Sequence, residues 1–262
     1  MFTYGEMHEK RREIHKCHRL GRMEPIKITD NVYFVGTYQA SSHIIDTGEG
    51  LIMFDTGYAE TAYLLVDSIY RLGYRPEDIK YIVNTHWHHD HTAATADIAA
   101  LSGAKTLIAR DDAEKAKAFF DADILIDDKD TLTLGNTTVE FLVTPGHTKG
   151  TLSFFFDTTD GGKVLRAGSF GGTGLNTLAL GTFEFENARE AFFASIERLK
   201  GEKVDVFLGN HTWNNGTWHK GQLALESEKN PFVDSELWHK FLEKRKQDLV
   251  DLINRENSNG KE

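Results

Sequence analysis

NTHWHHDHTAA, residues 84–94, decides how this chain is read. It follows KYIVNTH, residues 80–86, an apolar run with the character of a buried strand. It runs into TAATADIAALSG, residues 92–103, an Ala-rich stretch that predicts a helix closed by glycine. His86, His88, Asp90 and His91 fall in the pattern H-x-H-x-D-H at this strand–helix junction. Strand ends at such junctions are where layered α/β proteins place their sites. A core does not gather imidazoles and a carboxylate without reason, because every buried polar atom needs a partner. A metal ion satisfies several of them at once, and zinc takes both imidazole nitrogen and carboxylate oxygen. His86 and His88 can chelate one ion, while Asp90 and His91 can reach a second. His89, between these positions, is left as a neighbour or a solvent-facing residue.

Two more histidines extend the pattern. TPGHTKGT, residues 144–151, sets His147 after a strand end, with Pro145 and Gly146 fixing a tight turn. LGNHTWNNG, residues 208–216, sets His211 at another strand end. Each alone is weak, but with the cluster they supply a third ligand for each ion. An open catalytic zinc keeps three protein ligands and a water, and two such ions can clamp a shared hydroxide.

The rest of the chain supports a layered α/β fold. NVYFVGT (31–37) reads as a strand, and SHIIDTGEGLIMFDTG (42–57) as two strands around a GEG turn. AETAYLLVDSIYRLG (59–73) has helical spacing and ends on Gly73. AKTLIA predicts a strand and DDAEKAKAFF a helix. TLTLGNTTVEFLVT (131–144) predicts a hairpin turning at Gly135-Asn136. TLSFFFD and KVLRAG are further strands. Asn187 and Glu190 form a capping-box pattern ahead of the helix AREAFFASIERLK. VDVFLGN (204–210) is a last strand, and residues 234–257 form a long amphipathic C-terminal helix. There is no Pro-, Gly- or Ser-rich linker. The expectation is one domain over residues 1–262, with an N-terminal arm at 1–30. Two similar halves pack as a four-layer αββα sandwich, sheets inside and helices outside.

A net charge of −10 argues against general nucleic-acid binding, which wants a basic face. The locally basic stretch at residues 8–22 reads as a solvated helix or arm. Its His15, Cys17 and His18 are not read as ligands, since groups so close on an arm rarely close a site. Cys17 is the single cysteine, so an internal disulfide is impossible and a reducing compartment fits. No apolar run reaches bilayer length. With no signal peptide visible, the expectation is a cytoplasmic protein, or a periplasmic or secreted one if a leader has been removed, acting on a small molecule without membrane or nucleic acid. The N-terminal arm and the C-terminal helix are the candidate surfaces for a homodimer.

AGSFGG, residues 167–172, raises a separate question at Ser169. A nucleophile elbow wants G-x-S-x-G, but residue 167 is Ala. No His–Asp pair remains to activate a serine once the histidines are assigned. The glycine-rich stretch 168–181 reads as a mobile lid and lacks the GKS or GKT of a phosphate loop. Trp87, and Trp213 or Trp218 beyond His211, are candidates for an apolar rim. His43, His219 and His239 are read as structural, although His43 on the early strand pair could face the cleft.

Taken together and in this order, NVYFVGT, LIMFDTG, THWHHDH, TPGHTKG, LRAGSFGG and LGNHTW resemble the metallo-β-lactamase superfamily over nearly all of residues 31–220. The resemblance implies an αββα fold and a dinuclear zinc site, although iron or manganese suits the same donors. It implies His86, His88 and His147 as ligands of the first zinc, and Asp90, His91 and His211 as ligands of the second. Asp55, in FDTG, matches a position that supports the site from behind. Most hydrolases of the superfamily carry a metal-bridging aspartate where this chain has Ser169. Serine there, with a late histidine completing the second zinc, is similar to the third subclass of metallo-β-lactamases. On that resemblance Ser169 and Trp213 contact substrate, and Asp90 orients a metal-bound hydroxide that opens the amide of a β-lactam. One departure is Gly171, where that subclass often has a second serine. Lactone or thioester hydrolysis on the same dinuclear site is the alternative.

Overall fold

The computed structural model describes residues 9–259. Residues 1–8 of the arm and 260–262 of the tail lie outside the described residues.

One sheet has the order β1 (Ile26–Lys27), β2 (Val32–Phe34), β3 (His43–Asp46), β4 (Leu51–Phe54), β5 (Ile79–Val83), β6 (Lys105–Ala109), β7 (Ile124–Ile126). Its first four strands are antiparallel neighbours, and β4 to β7 run parallel. The second has the order β12 (Val206–Phe207), β11 (Lys163–Ser169), β10 (Leu152–Asp160), β9 (Thr137–Val143), β8 (Thr131–Leu134). It too is antiparallel until its last pair, β11 with β12, which is parallel. Each half thus starts as a meander and finishes through a crossover, as the repeated element order predicts.

Alternation along the strands sends one set of side chains between the sheets. There Phe34, Phe54 and Val83 meet Phe141, Phe154 and Phe156, all buried. The rings of Phe54 and Phe154 stack with centroids 3.8 Å apart. Behind the first sheet, α2 (Ala62–Arg71) and α4 (Thr95–Ser102) bury Leu65, Ile69 and Ile98 against Ile44, Met53 and Ile82. Behind the second, α6 (Ala188–Leu199) and α9 (Leu237–Asn259) bury Phe192, Ile196, Trp238 and Leu242 against Phe155 and Phe207. Two sheets back to back between helices are the expected αββα layers.

Several local expectations are corrected. The Ala-rich stretch forms α4 closed by Gly103, as expected, and a separate short helix, α3 (His89–Thr92), precedes it within the histidine cluster; between them the Ala94 amide donates to the Gly57 carbonyl at 3.3 Å. DDAEKAKAFF gives only a 3-10 turn at Arg110–Asp112 and one turn of helix, α5 (Ala113–Ala116), since Asp112 is committed elsewhere. No capping box forms at Asn187: its φ of 57° is left-handed, whereas a side-chain cap needs extended backbone. The short strands β1 and β7 carried no readable alternation.

The arm forms α1 (Arg11–Lys16), whose Ile14 is buried in the inter-sheet core. His18 stacks on Tyr58 and pairs with Glu60, so the arm histidines hold the arm down. Both candidate dimer surfaces therefore fold onto their own chain. No helix among the described residues is long and apolar enough to cross a membrane.

Candidate metal centre

The parallel strand β5 ends at Val83, and the chain turns outward through His86 and His88 before α3 begins. On the other sheet, the β9–β10 turn carries His147, and the segment after β12 carries His211. These turns face one another and form two groups. The donor atoms of His86, His88 and His147 lie within 4.8 Å of one another, and so do those of Asp90, His91 and His211. The groups adjoin, with the rings of His86 and His91 4.2 Å apart. All six predicted donors thus come together, and in the predicted threes.

The rings are aimed from behind. His147 Nδ1 donates to the Gly174 carbonyl at 2.9 Å and His211 Nδ1 to the Gln39 carbonyl at 2.5 Å. A carbonyl only accepts, so each ring presents Nε2 as a lone pair toward its group. His91 Nδ1 donates to Asp55 Oδ2 at 2.8 Å. Asp55, held at φ 55°, also accepts the Thr85 amide at 2.7 Å and hydroxyl at 2.8 Å. Its carboxylate thus ties the segment before His86 to the ring of His91. A second buried carboxylate, Asp112, was not foreseen. It accepts the Trp87 amide at 3.1 Å, the Thr148 hydroxyl at 2.7 Å and the Gly150 amide at 2.8 Å. Glu184 was also missed: it meets His88 Nε2 at 2.7 Å and accepts the Trp87 indole N–H at 2.9 Å. In TFEFEN nothing separates Glu184 from Glu186, and only the folded loop does so.

The donor set fits a cation. Nε2 of His86 and Nε2 of His91 are buried without a hydrogen-bond partner, a costly state that a metal relieves. Burial keeps His86 far below its usual range, holds His147 near 3 and His211 near 4, so these imidazoles are neutral and their free nitrogens could serve as metal donors. Burial would also lower His91, but the charges of Asp90 and Asp55 outweigh it and hold it near 10. Burial would raise Asp90; the neighbouring His91, with His211 and His86, holds it well below the carboxylate range instead. The carboxylates around His91 thus attract positive charge, which a proton or a divalent ion can supply. His91 Nε2 and His211 Nε2 lie 3.4 and 3.9 Å from Asp90 Oδ2.

Ser169 is the last residue of β11 and is nearly buried, at 2% exposure. Gly171 cannot be the second serine: a Cβ there would lie 2.0 Å from the Leu152 carbonyl oxygen. Trp213 lies flat on His211, with ring centroids 4.6 Å apart, and the Arg11 guanidinium sits 4.4 Å from the Trp213 ring. Trp218 belongs to the core and not to a rim, and His43 is buried edge-on to Phe34. A cavity of about 620 Å³ between β1 and the segment 218–231 shares no residue with the histidine groups.

The model of the metallo-beta-lactamase superfamily matches residues 35–211, a stretch that ends on the last of the six donors. The chain belongs to the metallo-β-lactamase superfamily. Within it, a subclass B3 metallo-beta-lactamase of Bradyrhizobium japonicum superposes with a TM-score of 0.84 at 27% identity, over 91% of this chain and 96% of that one. The native metallo-beta-lactamase from Legionella gormanii superposes with a TM-score of 0.85 at 25% identity, over 90% and 98%. By sequence, a hydroxyacylglutathione hydrolase of Hyphomonas neptunium is 28% identical over 171 residues, 64% of this chain and 60% of that protein. An N-acyl homoserine lactonase of Bacillus thuringiensis is 26% identical over 201 residues, 64% of this chain and 79% of its own length. The chain thus spans less than two thirds of the hydroxyacylglutathione hydrolase.

Proposed function

We propose that this chain is a zinc-dependent hydrolase that opens the amide ring of β-lactams. The observation that carries the reading is the make-up of the two donor groups. Five imidazoles accompany a single carboxylate, Asp90, and β11 ends on Ser169, the position at which the superfamily resemblance implies a metal-bridging aspartate. With one negative charge fewer between the ions, the site is more electrophilic and better able to accept an anionic leaving group. The likeness to subclass B3 enzymes supports the same choice.

His86, His88 and His147 would hold one zinc, and Asp90, His91 and His211 the other. Zinc bound there supplies Lewis acidity and lowers the pKa of water from 15.7 to about 7. The chain supplies the geometry. Asp90, held ionised with Oδ2 near His91 and His211, would help hold the second ion and orient the attacking water. Asp55 and the Gln39 carbonyl fix the rings of His91 and His211 so that Asp90 stays in place. Ser169 offers its hydroxyl to the substrate carboxylate, and Trp213 gives the ring an apolar wall.

A lactone or thioester is the second reading, favoured by the hydroxyacylglutathione hydrolase and lactonase among the sequence relatives. Hydrolysis of penicillin, cephalosporin and carbapenem by zinc-loaded protein, with and without chelator, separates the two. Turnover abolished by chelator supports the lactam. Two bound zincs without lactam turnover, but with hydrolysis of an acyl homoserine lactone or an acylglutathione, overturns it in favour of the second reading.

A further inference from the structure

The glycine-rich stretch after Ser169 is not loose over the metal centre. Its Gly174 carbonyl and Thr177 hydroxyl lie 2.9 and 3.1 Å from His147 Nδ1. Ten residues beyond Gly174, Glu184 reaches His88 on the other side of the same group. The Leu180 amide donates to Glu256 of α9 at 2.9 Å, and Arg189 pairs with Glu256 while donating to the Leu178 carbonyl at 2.7 Å. The segment is therefore tied to His147 near its start and to His88 near its end, and to the C-terminal helix in between.

Glu184 is the member of this segment with the most specific geometry. Its side chain is 12% exposed. Oε1 lies 2.7 Å from His88 Nε2, while Oε2 accepts the Trp87 indole at 2.9 Å and Lys115 Nζ at 2.5 Å. The indole and the ammonium leave Oε1 facing His88. The opposite nitrogen of that ring, Nδ1, is 2.9 Å from His147 Nε2, inside the donor group. An imidazole that donates Nε2–H to a carboxylate presents its lone pair at Nδ1 and becomes a stronger donor.

We propose that Glu184 is the positioning residue of the first metal group. It fixes the tautomer of His88, so that Nδ1 faces the ion, and the loop that carries it sets His147 in the same way. The stretch is part of the metal cradle and not a free lid. This inference rests on the reading of His86, His88 and His147 as metal ligands.

The test is metal uptake by the metal-free chain, with zinc followed by calorimetry and Co²⁺ by its visible absorption. Wild type should take two ions, and His147→Ala should identify the event that belongs to the first group. Glu184→Gln keeps the size and an acceptor but removes the charge. It should weaken that same event 10- to 100-fold, the usual effect of losing such a partner, and leave the other within a factor of two. Glu184→Ala should weaken it at least as much. In chelator, Glu184→Gln should melt somewhat below wild type, because its bonds to Lys115 and the Trp87 indole do not need the ion, so the role is read from the affinity of the first event. Wild type taking fewer than two ions, or His147→Ala keeping both at full affinity, overturns the metal reading itself. With those two behaving as expected, Glu184→Gln titrating like wild type, or losing only apo stability, overturns the role of Glu184.

Discussion

The hydroxyl of Thr148 lies 2.7 Å from Oδ2 of Asp112, in the interior, one residue from His147. The same carboxylate takes the amide of Trp87, one residue from His88. A single buried side chain thus joins two loops from different sheets, each carrying a donor of the first group. Asp112→Asn turns an amide NH2 toward at least one of its three donors. An unmet buried donor costs about 1–3 kcal/mol. Urea unfolding in chelator should show a loss of that order, and the first zinc should bind more weakly.

Gly171→Ser should fail to supply the serine found at this position in the related subclass. The added Cβ would lie 2.0 Å from the Leu152 carbonyl oxygen and 2.8 Å from Thr85 Cβ, so the backbone must move. Overpacking of this kind costs roughly 1–3 kcal/mol. For a chain of this size each kcal/mol lowers Tm by about 2–4 °C. A thermal melt unchanged from wild type would refute the steric account.

Ser169→Ala separates contact from scaffold. If the hydroxyl meets the substrate carboxylate, lactam KM should rise about tenfold, the weight of roughly one hydrogen bond, with kcat little altered. Equal falls in kcat and kcat/KM would place the serine in the transition state instead.

His43, on β3 and outside both donor groups, gives a pH signature of its own. Burial lowers its pKa to about 3, against 6.5 when exposed. The unfolded chain therefore binds a proton that the folded chain refuses. Stability is full above about pH 6.5 and falls as pH drops toward 3. The slope approaches about 1.4 kcal/mol per pH unit. Measured in chelator, His43→Phe should be less steep than wild type by that amount across the window. Parallel curves would show that His43 takes a proton in the folded state.

Chelator should also lower Tm in its own right, because an ion bound only by the folded chain stabilises it by mass action. His88→Ala should bind one zinc fewer, lose hydrolysis, and show a smaller drop in Tm on adding chelator. Full hydrolysis by His88→Ala would sink the assignment.

The donors could be found in the sequence because each sits where a strand gives way to a turn. H-x-H-x-D-H and the lone His147 and His211 mark strand ends whatever the packing. Strands β4, β5 and β10 were readable for a related reason, since apolar runs bounded by glycine or polar residues report burial directly. Glu184 and Asp112 were not, because each acts on residues far along the chain from an unremarkable local context. The capping box at Asn187 misled because left-handed backbone there is set by how the preceding loop arrives. Trp218 misled because its nearness to His211 in sequence does not bring it to the site: α8 (Thr217–Leu223) turns its ring into the core.

Neither group of donors belongs to one sheet. His86, His88, Asp90 and His91 follow β5, whereas His147 follows β9 and His211 follows β12. On the ribosome, four donors emerge early and remain one short in each group. The first group closes only when the second sheet begins to form, and the second only when His211 has been made. Both donor groups are therefore complete only after most of the chain has been made. The second group can meet only after both sheets have docked, so its geometry reports on the completed sandwich.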